Sequence, residues 1–482
     1  MRITLPPATA LAVTLLLSAP TSALPSERPD GPPRLNIIFI LIDDLGWRDL
    51  GCYGSTFYET PHIDRLAAQG MKFTDAYTAC SVCSPTRASI LTGQYPARLH
   101  LTDFLSGRPP KNAKLQVPDW TPYLTRDTRT IAAALKPAGY ISALIGKWHL
   151  GGSREFGAPK EAEEALPQRF GFDVNIAGSH YGQPPDYFFP YERKSGDVTY
   201  RLPYLTGGRE GEYLTDRITE EAEKFLEDNQ RRPFFLYLPH YAVHTSIGNR
   251  LQAKPKTIAK YAAKADPKAA QHNAVYAAMI ESMDESVGRI MKKLDDLKIA
   301  ERTVIVFTSD NGGYHQVTAQ LPLRGGKSEA YEGGIRVPLI VRWPGVVKAG
   351  SVAETPVTSV DFMPTCCAIA DVKPPPGQTL DGVSLVPLLK QTGKLERDAI
   401  FWHYPHYNDV TTPHGIVRQG DFKLIEYFED GRLELYNLRT DVGEKENLAM
   451  TQREKARALH ELLVKWRKQV GAQMPVPKPD PK

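Results

Sequence analysis

The chain has 482 residues, 41% of them hydrophobic, enough to build one large α/β domain and a smaller one with real cores; this excludes a disordered chain. Basic and acidic residues number 59 and 55, and a formal net charge of +4 is too small and too dispersed to argue for nucleic acid. Any anionic partner must be caught by a local site.

The first residues read as a secretory leader: Arg2, an apolar stretch from Ala8 to Ser18, and the small residues Thr21-Ser22-Ala23 before a cut after Ala23. That stretch is shorter than the ~20 residues a spanning helix needs, and no later stretch reads as transmembrane. A lipid anchor on cysteine is not expected, because the first cysteine is Cys52. Residues 1–23 are therefore assigned to a signal peptide and 24–34 to a tail rich in proline and charge. The mature chain, with a formal charge of +3 once Arg2 is lost, is expected in the periplasm or secreted.

The fold is expected to begin at Leu35, and a catalytic domain is assigned to 35–360. Leu35 to Ile42 is a near-continuous apolar run of strand length, the pattern of a central parallel strand covered on both faces, and it ends on Asp43-Asp44. Tyr140 to Ile145, Phe234 to Leu238 and Thr303 to Phe307 are similar, with helical stretches at Glu212 to Asn229 and Asn273 to Leu297 between them. The alternation predicts a doubly wound, mixed but mostly parallel sheet flanked by helices. In such sheets ligands bind beyond the carboxyl ends of the strands. These four strands end there on Asp43-Asp44, Lys147-Trp148-His149, His240 to His244, and Asp310-Asn311.

From about residue 360 the pattern changes to short alternating strands at Ile400 to His403, Gly415 to Arg418, Lys423 to Phe428 and Leu433 to Asn437, with a hairpin turn at Asp430-Gly431. A helix from about Gln452 to Val470 follows. Residues 361–482 are thus expected to form a smaller antiparallel sheet plus helix that contributes to the substrate pocket. The lysine-rich stretch Lys254 to Lys268 reads as a solvated helix face.

Five cysteines, Cys52, Cys80, Cys83, Cys366 and Cys367, cannot all pair. Cys80 and Cys83 form a C-x-x-C that could serve redox or zinc chemistry, but no second pair stands at zinc-site spacing. Cys366 and Cys367 read as buried small hydrophobes in a helix.

Cys83-Ser84-Pro85-Thr86-Arg87, followed by Ala88-Ser89-Ile90-Leu91-Thr92-Gly93, is the most specific feature of the chain. Pro85 suits the first turn of a helix, so residue 83 is expected near a helix N-terminus, which attracts an anion. The segment resembles the signature of the formylglycine-dependent sulfatases, hydrolases of the alkaline phosphatase superfamily. The resemblance implies that Cys83 is oxidised by a maturation enzyme to formylglycine, whose hydrate carries two hydroxyls. One attacks sulfur, and deprotonation of the other expels sulfate.

Asp43, Asp44, Asp310 and Asn311 offer only oxygen ligands, which suits calcium or magnesium better than zinc or copper. The resemblance assigns them one calcium ion, shared with residue 83. Gly146-Lys147-Trp148-His149-Leu150 resembles another family segment, implying that Lys147 binds sulfate and His149 hydrogen-bonds the formylglycine hydroxyl. Arg87 would hold residue 83 and the carboxylates in place through its fork of donors. His244 and Lys327, which match family residues at the sulfate and the leaving oxygen, are assigned jointly to leaving-group protonation or stabilisation. His240 reads as a strand cap, and Glu332 to Pro338 as scaffold behind the Lys327 loop.

Phe401-Trp402-His403-Tyr404-Pro405-His406-Tyr407 looks like a segment of glycan-degrading bacterial sulfatases, and aromatic faces with polar edges suit sugar rings. His403, His406 and Arg418 are the expected sugar contacts. The function expected is release of sulfate from carbohydrate O-sulfates, such as sulfated galactose or hexosamine units. A broad arylsulfatase, a phosphonate or phosphate monoester hydrolase, and a non-catalytic binder of sulfated glycans are the alternatives.

Overall fold

The computed structural model describes residues 34–105, 107, 113–152 and 158–478. The expected leader, the tail through residue 33 and the last four residues lie outside them. Residues Arg34–Lys482 form one compact unit.

Strand β1 (Asn36–Ile42) has all seven residues buried, as its apolar run requires. It is followed by β2 (Met71–Tyr77), α1 (Cys83–Thr92), β3 (Ile141–Ile145), β4 (Val174–Ile176), α2 (Leu214–Asn229), β5 (Phe234–Pro239), α3 (Ala274–Asp296) and β6 (Thr303–Ser309). Then come β7 (Arg336–Arg342), β8 (Ser351–Ala353), β9 (Val357–Thr358) and α4 (Phe362–Ile369). The sheet order is β8-β2-β7-β6-β1-β5-β3-β4, with β9 also on β2. From β6 to β4 the neighbours run parallel; β7 is antiparallel to both β6 and β2.

Successive side chains of a strand face opposite sides, and β1 divides its apolar residues accordingly. Ile38, Ile40 and Ile42 pack with Ile218 and Ala222 of α2 and Met283 and Val287 of α3. Ile37, Phe39 and Leu41 pack with Ala88, Ile90 and Leu91 of α1 and Phe362, Met363 and Cys366 of α4. The helix carrying the C-P-R segment is thus locked under the sheet, and Cys366 and Cys367 are core residues. Asn273 caps α3 by accepting from the Val275 and Tyr276 amides, as its capping chemistry predicts.

The smaller sheet is β10 (Ile400–Tyr404), β11 (His414–Gln419), β12 (Phe422–Tyr427) and β13 (Leu433–Asn437), all antiparallel in chain order, with α5 (Arg453–Val470) packed on it. Around the short helix Pro255–Ala262 the lysines are surface side chains paired with acids: Lys254 with Asp216 and Glu285, Lys260 with Glu59 and Glu281. No helix among the described residues is long and apolar enough to cross a membrane.

Candidate active site

Backbone bonds stitch the carboxyl ends of β1, β5 and β6 together. The Asp310 amide donates to the Ile42 carbonyl, and the Asp43 amide to that of Ala242. The Lys147 amide donates to Pro239 O, an approach that requires Gly146, since a Cβ there would lie 2.0 Å from that oxygen. Asp44 and His149 both take left-handed backbone, at φ 62° and 56°. Such conformations cost on the order of 1–3 kcal/mol and persist where surrounding structure over-determines them.

The charged groups these turns bring together are buried. Lys147 Nζ donates to Asp43 Oδ2 at 2.6 Å. Arg87 donates through Nε to Asp310 Oδ2 at 2.9 Å and through Nη1 to the Lys147 carbonyl at 3.3 Å. Lys327 Nζ lies 2.7 and 2.8 Å from the two oxygens of Asp44, whose Oδ1 also accepts from Asn311 Nδ2. Burial works against the charge on Lys327, but Asp44 outweighs it and holds its pKa above the ordinary value. Burial likewise opposes ionisation of Asp44, yet Lys327 and His244 keep it below the carboxylate range. Asp43 is pushed up by burial against the pull of Lys147.

Two buried oxygens in this cluster, Asp43 Oδ1 and Asn311 Oδ1, have no hydrogen-bond donor. The nearest cationic atom paired with Asp43 Oδ1 is Arg87 Nη2, at 3.5 Å. Ligand atoms of Asp43, Asp44 and His244 lie within 4.8 Å of one another. Orphaned oxygens in a buried, acid-rich cluster are the donors a hard divalent cation takes, so Asp43, Asp44, Asp310 and Asn311 fit such an ion.

Cys83 is the first residue of α1, where helix amides face an incoming anion. Its Sγ lies 3.3 Å from His149 Nδ1. Burial pushes the thiol up in spite of Lys147 and Lys327, so unmodified Cys83 is a protonated, poor nucleophile. His149 Nε2 lies 2.7 Å from the Leu105 carbonyl, which can only accept, so Nε2 carries the proton and the Nδ1 lone pair faces residue 83. By the same logic His244 donates from Nδ1 to Thr245 O, leaving its Nε2 lone pair 3.5 Å from Asp44 Oδ2. Burial, then Lys327, lowers His244 to about 3, and burial with Lys147 holds His149 well below its usual value. Both imidazoles are neutral near pH 7.

A cavity of about 400 Å³ opens above this floor; Asp44, Cys83, His149, His244 and Lys327 line its depth. The expected sugar contacts do not line it. His403 is buried with Nε2 on Gln473 O, and His406 is buried against Thr102 Oγ1. Arg418 is spent on Asp75 and Tyr77. All three side chains are spent on interior partners, so the sugar-contact assignment is corrected: the chain reaches the cavity just past this segment, through Asn408, Asp409 and Val410. His240 is buried on Ser286 and stands outside the lining. Glu332 to Pro338 does sit behind the Lys327 loop, with the Gly333 amide on Arg324 O and the Gly334 carbonyl accepting from Gly312.

Sequence reasoning missed the loop that fixes His149. Tyr404 donates to Asp103 Oδ1 at 2.9 Å, the same oxygen accepts from the Phe104 amide, and Leu105 N donates to Ser84 Oγ. No motif marks these residues, whose common feature is proximity in space.

The Sulfatase family matches residues 35–372, and the family described as N-sulphoglucosamine sulphohydrolase, C-terminal, matches 326–469. A Formosa agariphila protein named Sulfatase is 36% identical, over 90% of this chain and 88% of its own. Human N-acetylgalactosamine-6-sulfatase is 33% identical over 77% of this chain and 68% of its own. The crystal structure of Ps i-CgsB in complex with k-i-k-neocarrahexaose superposes with a TM-score of 0.74 at 30% identity, covering 90% of this chain and 93% of the other. The geometry of the strand ends and these likenesses agree: the chain belongs to the sulfatase family, sulfuric ester hydrolases of the alkaline phosphatase superfamily.

Proposed function

We propose that this sulfatase releases sulfate from a carbohydrate O-sulfate, with Cys83 matured to formylglycine and one calcium ion held by Asp43, Asp44, Asp310, Asn311 and residue 83. The observation that carries the reading is the placement of Cys83. It lies at the first turn of a buried helix, 3.3 Å from His149 Nδ1, on the cavity that Asp44 and Lys327 also line. The burial that raises the thiol argues against direct thiolate attack by unmodified Cys83. The sugar assignment draws support from the names of the human relative and the Ps i-CgsB complex.

When present, the formylglycine hydrate supplies the attacking and expelling hydroxyls, and calcium supplies charge that offsets the sulfate oxygens. Of the chain's own groups, His149 Nδ1 accepts a hydrogen bond from residue 83 and so orients its hydroxyl. Lys147, Lys327 and the amides of α1 offset negative charge on the sulfate. Arg87 pins Asp310 against the Lys147 carbonyl, so the floor does not relax. Lys327, which keeps its charge beside Asp44, and His244 together are the groups placed to stabilise or protonate the leaving oxygen. The leader points to export, and the C-P-R segment to a maturation enzyme as partner.

Peptide mass spectrometry across Cys83, on protein from its native host or co-expressed with a maturation enzyme, tests the reading. Conversion of the thiol to the aldehyde is the expected result; an unmodified thiol under those conditions sinks it.

A further inference from the structure

Resting on the reading that Lys327 acts at the leaving oxygen, we infer that Glu329 is a positioning residue: its carboxylate clamps the turn that aims the Lys327 ammonium, and leaving-group assistance weakens without it. Lys327 Nζ has three N–H donors, and the two Asp44 oxygens, at 2.7 and 2.8 Å, engage up to two of them. A lysine head rides on a flexible four-carbon stem. With Asp44 pulling on one side, the place of the Lys327 backbone decides whether the remaining donor reaches a substrate in the cavity that Lys327 lines.

That backbone is an unfavourable turn held from several sides. The Glu329 amide donates to the Gly326 carbonyl at 3.0 Å, so Lys327 and Ser328 are the central residues of a four-residue turn. Ser328 takes left-handed backbone at φ 75°, in the place where such a turn favours glycine or asparagine. A conformation of this kind persists where its surroundings over-determine it. Glu329 adds a second bond across the turn: its Oε2 accepts from the Gly326 amide at 2.8 Å, so both backbone groups of Gly326 are bonded to one residue. Gly326 is buried, and its amide depends on a protein acceptor. The carboxylate lies so close that a Cβ on Gly325 would stand 2.9 Å from Oε2. Three further bonds come from outside: the Lys327 amide to Gly313 O at 2.9 Å, the Ser328 amide to Ser81 O at 2.9 Å, and Asn408 Nδ2 to the Ser328 carbonyl at 3.4 Å. None of those three spans the turn. They fix where it sits, and Glu329 fixes its shape.

The test is a double-mutant cycle on the matured enzyme, with kcat and KM for 4-nitrophenyl sulfate and N-acetylgalactosamine 6-sulfate expressed per formylglycine-bearing molecule. Glu329→Ala is expected to lower kcat on the order of tenfold, more for the sugar, whose leaving oxygen is the more basic, with KM and thermal midpoint near wild type. Glu329→Gln, which keeps an oxygen for the Gly326 amide, is expected to restore most of the loss. Lys327→Ala is expected to lower kcat on the order of 10²-fold, and adding Glu329→Ala to it to change kcat by less than about twofold. Losses that multiply in the double variant, or a Glu329→Gln variant as slow as Glu329→Ala, overturn the inference and leave the role of Lys327 standing. A Lys327→Ala variant as fast as wild type overturns the leaving-oxygen reading itself.

Discussion

Two buried clusters of ionisable side chains among the described residues are finished differently. At the junction of the two sheets, Lys423 sits between Glu332 at 3.1 Å and Glu444 at 2.8 Å, with every side chain fully buried. Glu332 also accepts from Tyr77 and pairs with Arg336. At the strand ends, Arg87, Lys147 and Lys327 meet Asp43, Asp44 and Asp310 at similar distances, yet Asp43 Oδ1 and Asn311 Oδ1 are left without donors and the cluster faces a cavity. In the first, the one oxygen without a hydrogen-bond donor, Glu444 Oε1, still has the Lys423 ammonium at 2.8 Å, and the cluster fastens the small sheet to the large one. The second holds back part of its bonding capacity, which is what a site for a cation and an anionic ester requires.

The contrast is broken most severely at residue 83. Cys83→Ala is expected to lower sulfate release on the order of 10⁴-fold or more while circular dichroism and thermal midpoint stay near wild type; substantial residual release from a clean preparation refutes the nucleophile. Stripping the matured enzyme with a chelator is expected to cost on the order of 10²-fold or more in kcat, restored by calcium and not by zinc, because the donor set is oxygen. Full activity after rigorous chelation would remove the cation from the strand ends. Lys423→Met, in the junction cluster, strands two buried carboxylates and is expected to lower unfolding free energy by about 3–5 kcal/mol. Activity per folded molecule should change far less, a split that denaturant melts and active-site titration together can read. Tyr404→Phe leaves Asp103 one donor short and is expected to cost about 1 kcal/mol, seen in kcat more than in KM, because it acts through the Leu105 carbonyl on His149.

Acid should strain both regions, because burial also lowers His149 and His244 at the strand ends. Burial lowers His403 and His414 to about 4 and His406 to about 3, all in the small sheet or beside it. Between those values and the unfolded value of about 6.5 the unfolded chain binds protons that the folded chain refuses. Stability is therefore expected to fall as pH drops from about 6.5 toward 4. Urea midpoints at successive pH values check this, and midpoints that stay level over that range contradict it.

The large-sheet elements were legible because their physics is local. Six consecutive apolar residues ending on two aspartates can be satisfied by a covered central strand, and β1 covers Asn36–Ile42 against an expected Leu35 to Ile42. β2 and β7 were missed: Met71–Tyr77 alternates with lysine, threonine and aspartate, and Arg336–Arg342 carries an internal proline, so neither shows a continuous apolar run. The floor of the site was legible from the motifs at the strand ends. The wall was not, since Leu105 contributes a carbonyl, which no side-chain pattern reports, and Asn408-Asp409 is an ordinary turn pair until its neighbours are known.

The sequence alone determined the alternating α/β order, the C-P-R segment at the start of a helix and the oxygen-rich strand ends, because periodicity, capping and short motifs act within a few residues. Only the tertiary structure decided which side chains of the small sheet face the cavity, which nitrogen of His149 carries the proton, and which carboxylate oxygens stay unpaired. Each of these depends on contacts between segments up to hundreds of residues apart, such as Asn408 with Ser328 and Tyr404 with Asp103, and such contacts exist only once both sheets are packed.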